Sequence, residues 1–354
     1  MANALTRHID NVIAIGTGSR SVDGPEALVQ KSWARCMTKH GLDPTRPTPA
    51  RILPSHEVRE HQQRLEGFLR VARSGMEELY HRVADLGYML LLTDVDGITV
   101  DYIGNPSTEP QLKAAGLYLG ADWNEAHAGT CGVGTCMIER TTITCHQAEH
   151  FDATHIALTC TSAPLFAPDG ELLGVLDMSA LRSPEARESQ HLALHLTSMY
   201  AQMIEDANFL RSFGRHWVLR LGRASGLVEV SGEVMFAFDE DAVIVGANTG
   251  ARRRFGDWRP GVEAGSAPLV GRSLMDLLDL SFDGLWAIAR GQASGEVCGL
   301  YPCQNERYYP AVIAPRTRAG SMRAAANCSR PRARSARRSR CASSSSRHRR
   351  AASS

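Results

Sequence analysis

Apolar residues recur at helical spacing between residues 55 and 86. Steps of three and four residues are typical of a helix that packs one face against a core. Gly75 lies inside this segment, and glycine weakens a helix, so the pattern predicts two helices divided there. The apolar positions of this face are Leu65, Phe68, Leu69, Ala72, Met76, Leu79 and Val83.

The pattern changes from helical to extended after Leu86. The stretch YMLLLTDVDGITVDYIG has two β-rich runs on either side of Asp96-Gly97, a pair typical of a tight hairpin turn. The stretch ALTCTSAPLFAPDGELLGVLDMSA repeats this design around Asp169-Gly170. Its second run, residues 172–178, is strongly apolar and therefore suits a central strand.

A long helix is predicted next, over residues 185–213. Ser183, Pro184 and Glu185 supply an N-cap, a proline at the first helical position and an acid in the first turn. Four apolar residues then follow at alternating spacings of four and three. This apolar stripe either packs within its own domain or forms the seam of a dimer. It consists of Leu192, Leu196, Met199 and Met203.

Two further regions flank this central domain of residues 55–213. Residues 1–54 predict a short N-terminal helix followed by the proline-rich connector DPTRPTPARILP. Residues 225–315 predict a second, smaller α/β domain. It has two strands around Glu240-Asp241, a short arginine-rich helix, further helix and a return to strand.

The formal net charge of +1 hides two regions of opposite sign. Residues 316–354 contain twelve arginines and no lysine or acid, and removing these twelve from the 39 basic residues leaves 27 against 38 acidic ones. Residues 1–315 therefore carry about −11. The Arg/Ser/Ala-rich tail is predicted to be disordered. It is either a nucleic-acid-binding tail or an out-of-frame terminus, and the abrupt change in composition favours the second interpretation.

The composition indicates a soluble, cytoplasmic protein with reduced thiols. Apolar residues make up 43% of the chain, yet no run of eighteen could span a membrane. The N-terminus lacks the three parts of a signal peptide, and nine cysteines are an odd number with no small-scaffold spacing. No G-x-S-x-G motif is present, so we expect neither an enzyme nor a cofactor.

The stretch AGTCGVGTCMIERTTITCHQAEHF, residues 128–151, concentrates cysteines, histidines and small residues. A zinc site is one interpretation, because Cys131, Cys136, Cys145 and His146 offer four ligands at a spacing that is not diagnostic. A redox site that adds Cys160 is another, but no lysine lies nearby to lower a thiol pKa. The run MIERTTITC favours a strand, which makes Cys136 and Cys145 core candidates.

The overlapping segment GADWNEAHAGTCGVGT, residues 120–135, predicts the wall of a small-molecule pocket. Its glycines allow the backbone to approach a ligand. Trp123 offers an aromatic wall, while Glu125 and Thr130 offer polar contacts. The segment does not open a βαβ unit, so it is weak as a nucleotide site.

Several motifs now occur in an order that resembles a known family. The sensory N-terminal region of acetoin-catabolism regulators, sigma-54-dependent transcriptional activators with a GAF sensor domain, is similar to residues 29–213. Residues 225–290 resemble a PAS domain more loosely, through Asn248, Arg252 and Gly271-Arg272-Ser273-Leu274. The motifs of the first resemblance are SWARC (32–36), HGLDP (40–44), LLTDVDGITVDYIG (91–104), GADWNEAHAGTCGVGT, AEHF (148–151), CTSAPLFAPDGELLGVLDMS (160–179) and Ile204-Glu205.

The resemblance implies an α+β fold and a ligand site. The fold is a GAF domain, an antiparallel sheet flanked by helices, followed by a smaller PAS-like α/β domain and the disordered tail. Related sequences often carry asparagine where Cys131 stands, and His150 is either a ligand contact or a structural histidine. The implied ligand-binding residues are Trp123, Glu125, Gly129, Thr130, Cys131, Gly134, Thr135 and His150.

The family's output machinery is absent from this sequence. No GxxxxGK[ST] phosphate loop occurs among its three lysines. We therefore expect a sensor portion truncated before its ATPase and DNA-binding domains. Its expected partners are a small-molecule effector and a second copy; DNA and sigma-54 RNA polymerase are partners only in a full-length relative. The alternatives are a cysteine-based redox or metal sensor, and nucleic-acid binding through the tail.

Overall fold

Two antiparallel β-sheets, each accompanied by helices, make up the described part of the chain. The computed structural model describes residues 2–17, 27–47, 49–182, 186–256, 268–293, 295–300 and 306–316. The predicted helix start at 183–185 and residues 317–354 of the predicted tail lie outside these ranges.

Ten α-helices lie among the described residues, and none of them is long and apolar enough to cross a membrane. The helix predicted at 185–213 corresponds to α8, which begins at Gln190. In chain order the helices are α1 (Ala2–Gly16), α2 (Ala27–Thr38), α3 (Ser55–Arg64), α4 (Glu66–Val83), α5 (Glu109–Ala114), α6 (Glu125–Ala128), α7 (Gly132–Glu139), α8 (Gln190–Ser212), α9 (Thr249–Phe255) and α10 (Phe282–Ala289).

The first sheet has five strands and confirms both predicted hairpins. Gly97 and Gly170 form the turns with φ angles of 84° and 92°, a backbone region that glycine enters without steric cost. The strand order is β2-β1-β5-β4-β3, so the apolar run at 172–178 lies in the central strand, as predicted. The strands are β1 (Met89–Asp94), β2 (Thr99–Ile103), β3 (Ile143–His146), β4 (Thr159–Phe166) and β5 (Leu172–Ala180).

Helices α4 and α8 cover one face of this sheet. The predicted apolar face of residues 65–83 is confirmed, because α4 buries its apolar residues against the strands. Every second side chain of β1 and β5 packs against these two helices, as expected for a sheet with a core on each face. The largest members of this core are Phe68, Met76, Leu79, Leu90, Leu92, Leu165, Leu176, Tyr200 and Ile204.

The predicted helix division at Gly75 is wrong, because the break lies at Leu65. Helix α3 ends one residue before Leu65 and α4 begins one residue after it, so Gly75 is inside α4. A Cβ at Gly75 would lie 2.5 Å from Ile204 Cγ1 on α8. The glycine therefore lets two helices approach closely.

The apolar stripe of α8 faces away from this core. Leu192, Met199 and Met203 are 68%, 50% and 51% exposed, and only Leu196 packs at the edge of the core. Packing within its own domain is therefore wrong for three of the four residues. The buried face of α8 carries small residues that allow close approach, among them Ala193, Thr197 and Ala201.

Helices α2, α6 and α7 lie on the opposite face of the sheet. The predicted strand MIERTTITC is wrong at its start, because Met137–Glu139 end α7 and only Ile143–His146 form a strand. Cys136 therefore lies on a helix. Packing against the sheet decides this, since local strand propensity is a weak preference. The buried residues of this second core include Val29, Trp33, Cys36, Met89, Leu91, Cys131, Val133, Cys136, Ile143, Phe151, Cys160 and Val175.

The second sheet confirms a second domain, but it begins earlier than residue 225. Strand β6 (Trp217–Gly222) lies between the two predicted domains and pairs on one side with β7 and on the other with β11. Its Leu219 and Leu221 are fully buried, so it is a central strand. The order is β8-β7-β6-β11-β10-β9. The other strands are β7 (Val234–Phe238), β8 (Ile244–Ala247), β9 (Leu278–Asp279), β10 (Val297–Gly299) and β11 (Arg307–Ile313).

The end of α8 joins the two sheets through side-chain hydrogen bonds. Glu205 Oε1 accepts from the backbone N–H of Phe166 at the end of β4, at 2.8 Å. Asn248 caps α9 by accepting from Ala251 N at 2.9 Å, and its Nδ2 donates to Asp206 Oδ1 at 3.0 Å. One helix thus contacts both domains through adjacent carboxylates.

We expect Gly75→Ala to destabilise the protein although it adds a better helix former. Alanine gains about 0.5–1 kcal/mol of helix propensity, whereas overpacking against Ile204 costs about 1–3 kcal/mol. The midpoint of thermal unfolding should fall by a few degrees. Gly67→Ala is the matched control, because a Cβ there would meet only the mobile guanidinium of Arg211, at 3.2 Å. An equal or higher midpoint for Gly75→Ala would contradict the close helix contact.

Candidate functional site

The carboxylate of Glu125, a predicted ligand contact, is fully buried and bound by helix α2. Arg35 donates from Nε to Oε2 and from Nη2 to Oε1, each at 3.0 Å. Ser32 Oγ also donates to this carboxylate, and the hydroxyls of Thr130 and Thr135 lie 2.7 and 3.2 Å from Ser32 Oγ. The structure thus brings three predicted site residues, Glu125, Thr130 and Thr135, together around side chains of helix α2.

Cys131 and Gly134 hold the start of α7 against the segment that contains Trp123. Cys131 is the N-cap: its Sγ accepts from Gly134 N at 3.3 Å and donates to Trp123 O at 3.4 Å. Asparagine, which the family resemblance implies at this position, is a strong N-cap residue. A Cβ at Gly134 would lie 2.8 Å from Trp123 O, so no larger residue fits. Gly129 ends α6 just before this cap.

His150 is completely buried, and protein groups occupy both of its ring nitrogens. Nδ1 lies 3.0 Å from Gln147 O and Nε2 lies 3.4 Å from Cys160 Sγ. Burial, with the nearby His155 as a second cause, lowers the pKa of His150 to about 3. The ring is therefore neutral and fits the structural interpretation of this residue.

The predicted ligands Cys131, Cys136, Cys145 and His146 do not lie together within metal-binding distance. Burial raises the pKa of Cys131, Cys136, Cys145 and Cys160 above the usual thiol value, so all four stay protonated. The ring of His146 faces Thr159, with Nδ1 3.1 Å from its hydroxyl. Among the described residues, one group has His, Cys or carboxylate atoms within metal-binding distance, namely His61, Asp94 and Asp96.

A buried carboxylate on the central strand escaped the sequence analysis. Asp177 accepts from Ser162 Oγ and Ser179 Oγ, each at 2.5 Å. Burial raises the pKa of Asp177 to about 6. The available signal was a single acid within the apolar run LLGVLDMSA, since an unpaired charge is rarely placed in a core without a role.

A cavity of about 170 Å³ lies on the outer side of residues 121–128. Its inner wall includes Trp123 and His155, whose rings are 5.4 Å apart. Among the described residues, Trp123 Nε1 and His155 Nδ1 are buried without a hydrogen-bond partner. An unpaired buried polar group costs about 1–3 kcal/mol, and both atoms are covered by neighbouring protein atoms. The remaining lining residues are Leu42, Pro49, Ala50, Arg51, Gly116, Ala121, Asp122, Ala126, His127 and Ala128.

The charges at this cavity are paired at its rim. Arg51 Nη1 lies 3.1 Å from Asp122 Oδ2 and 2.9 Å from His127 Nε2. Burial lowers the pKa of His155, so its ring is neutral at neutral pH. The cavity is therefore mostly apolar inside, and its charged groups are paired at the rim. Of the predicted ligand-binding residues, only Trp123 lines it.

Comparison with known proteins identifies the domain around this cavity. A GAF domain model matches residues 68–207. The acetoin catabolism regulatory protein of Cupriavidus necator is 49% identical over 263 residues, 73% of this chain and 39% of that protein. The acetoin dehydrogenase operon transcriptional activator AcoR of Bacillus subtilis is 26% identical over 232 residues, 65% of this chain and 37% of that protein.

Residues 68–207 are therefore a GAF domain of the acetoin-regulator type, which confirms the resemblance. The chain spans less than two fifths of the length of either relative, and both are named as regulators. A crystal structure of the E. coli DhaR(N)–DhaL complex is 18% identical with a TM-score of 0.44, and the match covers 81% of this chain and 99% of that one.

We expect the buried thiols to resist alkylation in the folded protein. N-ethylmaleimide reacts with thiolates, and burial keeps these groups protonated and inaccessible. Mass spectrometry of the labelled chain should find modification at the partly exposed Cys298 before the buried cysteines; unfolding in urea, the control, should expose every site. Early labelling of Cys131 or Cys160 would revive the redox alternative. The residues expected to stay unlabelled are Cys36, Cys131, Cys136, Cys145 and Cys160.

Proposed function

We propose that this chain is the ligand-sensing portion of a sigma-54-dependent transcriptional regulator and binds a small metabolite in its GAF domain. The cavity beside Trp123 carries the proposal. It is mostly apolar, and its wall includes Trp123, whose buried indole N–H has no partner among the described residues. Ligand sites commonly combine an apolar lining with a few polar groups placed in this way.

In this proposal the other predicted site residues do not line the cavity but hold the segment that carries Trp123 in place. Glu125, Thr130 and Thr135 fix helix α2 against the segment that carries Trp123. Cys131 holds the backbone carbonyl of Trp123 directly. Gly129, Gly134 and His150 complete the packing around that segment. A change at any of these positions would act on the ligand through the position of the indole.

Acetoin is the first compound to test. Two relatives are named for acetoin catabolism or the acetoin dehydrogenase operon. Its size suits the cavity, because about 170 Å³ is below the roughly 300–1,000 Å³ typical of pockets for drug-sized ligands. Its carbonyl and hydroxyl oxygens offer an acceptor for the indole N–H and a second polar group.

We expect acetoin to bind the purified chain, and Trp123→Phe to weaken that binding at least tenfold. Phenylalanine keeps an aromatic wall but removes the N–H donor. Isothermal titration calorimetry measures both affinities. Trp217→Phe is the matched control, because this partly buried tryptophan lies on β6 of the second sheet. Equal affinity of the Trp123 variant and the unmodified chain would move the site elsewhere.

We propose that transcriptional output belongs to the additional segments of full-length relatives, outside the region that this chain shares with them. In this proposal the metabolite shifts the GAF domain between two conformers, and α8 passes the shift to the second sheet through Glu205 and Asp206. DNA and sigma-54 RNA polymerase are then contacts of the full-length protein. The proposal places the regulator in the cytoplasm.

We further propose a second copy of this chain as the partner of α8. The apolar stripe has spacings of four, three and four residues, which matches the seam of two paired helices. Its exposed leucine and methionines follow one side of a 23-residue helix whose other side is buried. Two copies would cover the stripe symmetrically, as is common in homodimers.

We expect the double variant Met199→Glu with Met203→Glu to convert a dimer into a monomer. Paired helices would bring four carboxylates together at an apolar seam, which is strongly unfavourable. Light scattering coupled to size-exclusion chromatography measures the mass. Leu86→Glu is the control, since Leu86 is 63% exposed and lies outside the stripe. A monomeric unmodified chain, or a dimeric double variant, would contradict the seam.

A further inference from the structure

One side of the cavity is built by residues that precede the GAF domain. The domain match begins at residue 68, yet Leu42, Pro49, Ala50 and Arg51 line the cavity opposite Trp123. We call these four residues the connector wall. Pro49, Ala50 and Arg51 belong to the proline-rich connector, and Leu42 directly precedes it.

The connector wall is only partly covered by other residues. Pro49 and Ala50 are exposed, while Leu42 is half-buried. Ala50 nevertheless reaches the inner wall, because a Cβ added to Gly116 would lie 2.8 Å from Ala50 Cβ and 3.4 Å from Trp123 Cζ2. A guest beside the indole would therefore touch the connector wall directly.

Both ends of the connector are fixed to the domain. Upstream, the bonds from Arg35 to Glu125 hold α2 in place. Downstream, the backbone N–H of Asp122 donates to Arg51 O at 2.9 Å, and Leu53 N donates to Gly120 O at 2.8 Å. The connector wall therefore has a defined position over the cavity.

The groups around the cavity offer no unpaired charge to a guest. The Arg51 guanidinium already faces Asp122 and His127 at the rim. The ring of His155 inside is neutral. A charged guest would have to give up its hydration without gaining a counter-ion, which is strongly unfavourable.

We propose that the connector wall completes the effector site and that this site selects compact, uncharged molecules with an acceptor oxygen. This inference rests on the proposed function, because it assigns the walls and the ligand class of the same site. A GAF domain without residues 42–51 would then lack one side of its binding site.

The test measures the binding of acetoin, 2-butanone and lactate to the full chain. Acetoin and 2-butanone are uncharged, whereas lactate has a similar size and a carboxylate. We expect lactate to bind at least tenfold more weakly than acetoin. Ala50→Leu, which fills the cavity from the connector side, should weaken acetoin binding at least tenfold. Ala114→Leu is the matched control on the exposed face of α5 and should stay within twofold of the unmodified chain.

A second measurement uses the unmodified chain and does not depend on how the variants fold. Bound acetoin should slow hydrogen exchange at the amides of Leu53 and Asp122, because their hydrogen bonds join the connector to residues 120–122. Binding that is weakened by Trp123→Phe but unchanged by Ala50→Leu, with unchanged exchange, overturns the connector wall and leaves the proposed function standing. Lactate binding as tight as that of acetoin overturns the selectivity. If neither acetoin nor 2-butanone binds, both proposals fall.

Discussion

The hydrogen-bonded, buried carboxylate of Glu125 is the interaction on which the cavity side of the structure depends. It sits at the first residue of α6 and receives two bonds from Arg35 and one from Ser32, all from α2. A buried carboxylate without these donors would be strongly destabilising. Because α2 is held in this way, the connector that follows it is placed over the cavity. Glu125, which looks like a ligand contact in the sequence, thus anchors the wall of the cavity.

The first sheet has separate roles for its two faces. One face packs α4 and α8 in an apolar core, where Gly75 permits close helix contact. The other face combines apolar residues with buried polar ones, including Asp177, and borders the segment that carries Trp123. Helix α8 connects the first face to the second sheet. Burial raises the pKa of Glu205 there to about 7 and that of Asp206 to about 6, so the junction contains carboxylates that are easily protonated.

The predicted binding segment contains a cavity-lining residue, but its chemistry differs from the sequence-based interpretation. Trp123 lines the cavity, whereas Cys131 and His150 bind groups of the protein itself. The sequence could not identify His155 or the connector wall as residues that line one cavity, because they are far apart along the chain and only folding brings them together. The residues of the metal interpretation do not lie together, since spacing along the chain does not say which way side chains point in a helix or strand.

The sequence by itself determined the local elements whose signals are local. Asp96-Gly97 and Asp169-Gly170 mark hairpins because only a few residues tolerate such turns, and the apolar spacing of residues 65–83 marks a helix face. Tertiary structure decided the rest. Gly75 divides no helix, because it serves a contact with α8. Cys136 lies on a helix in spite of its strand-like neighbours. Strand β6 is central in its sheet although the strand is short. In each case the free energy of packing against distant residues exceeds the small local preference of a few side chains.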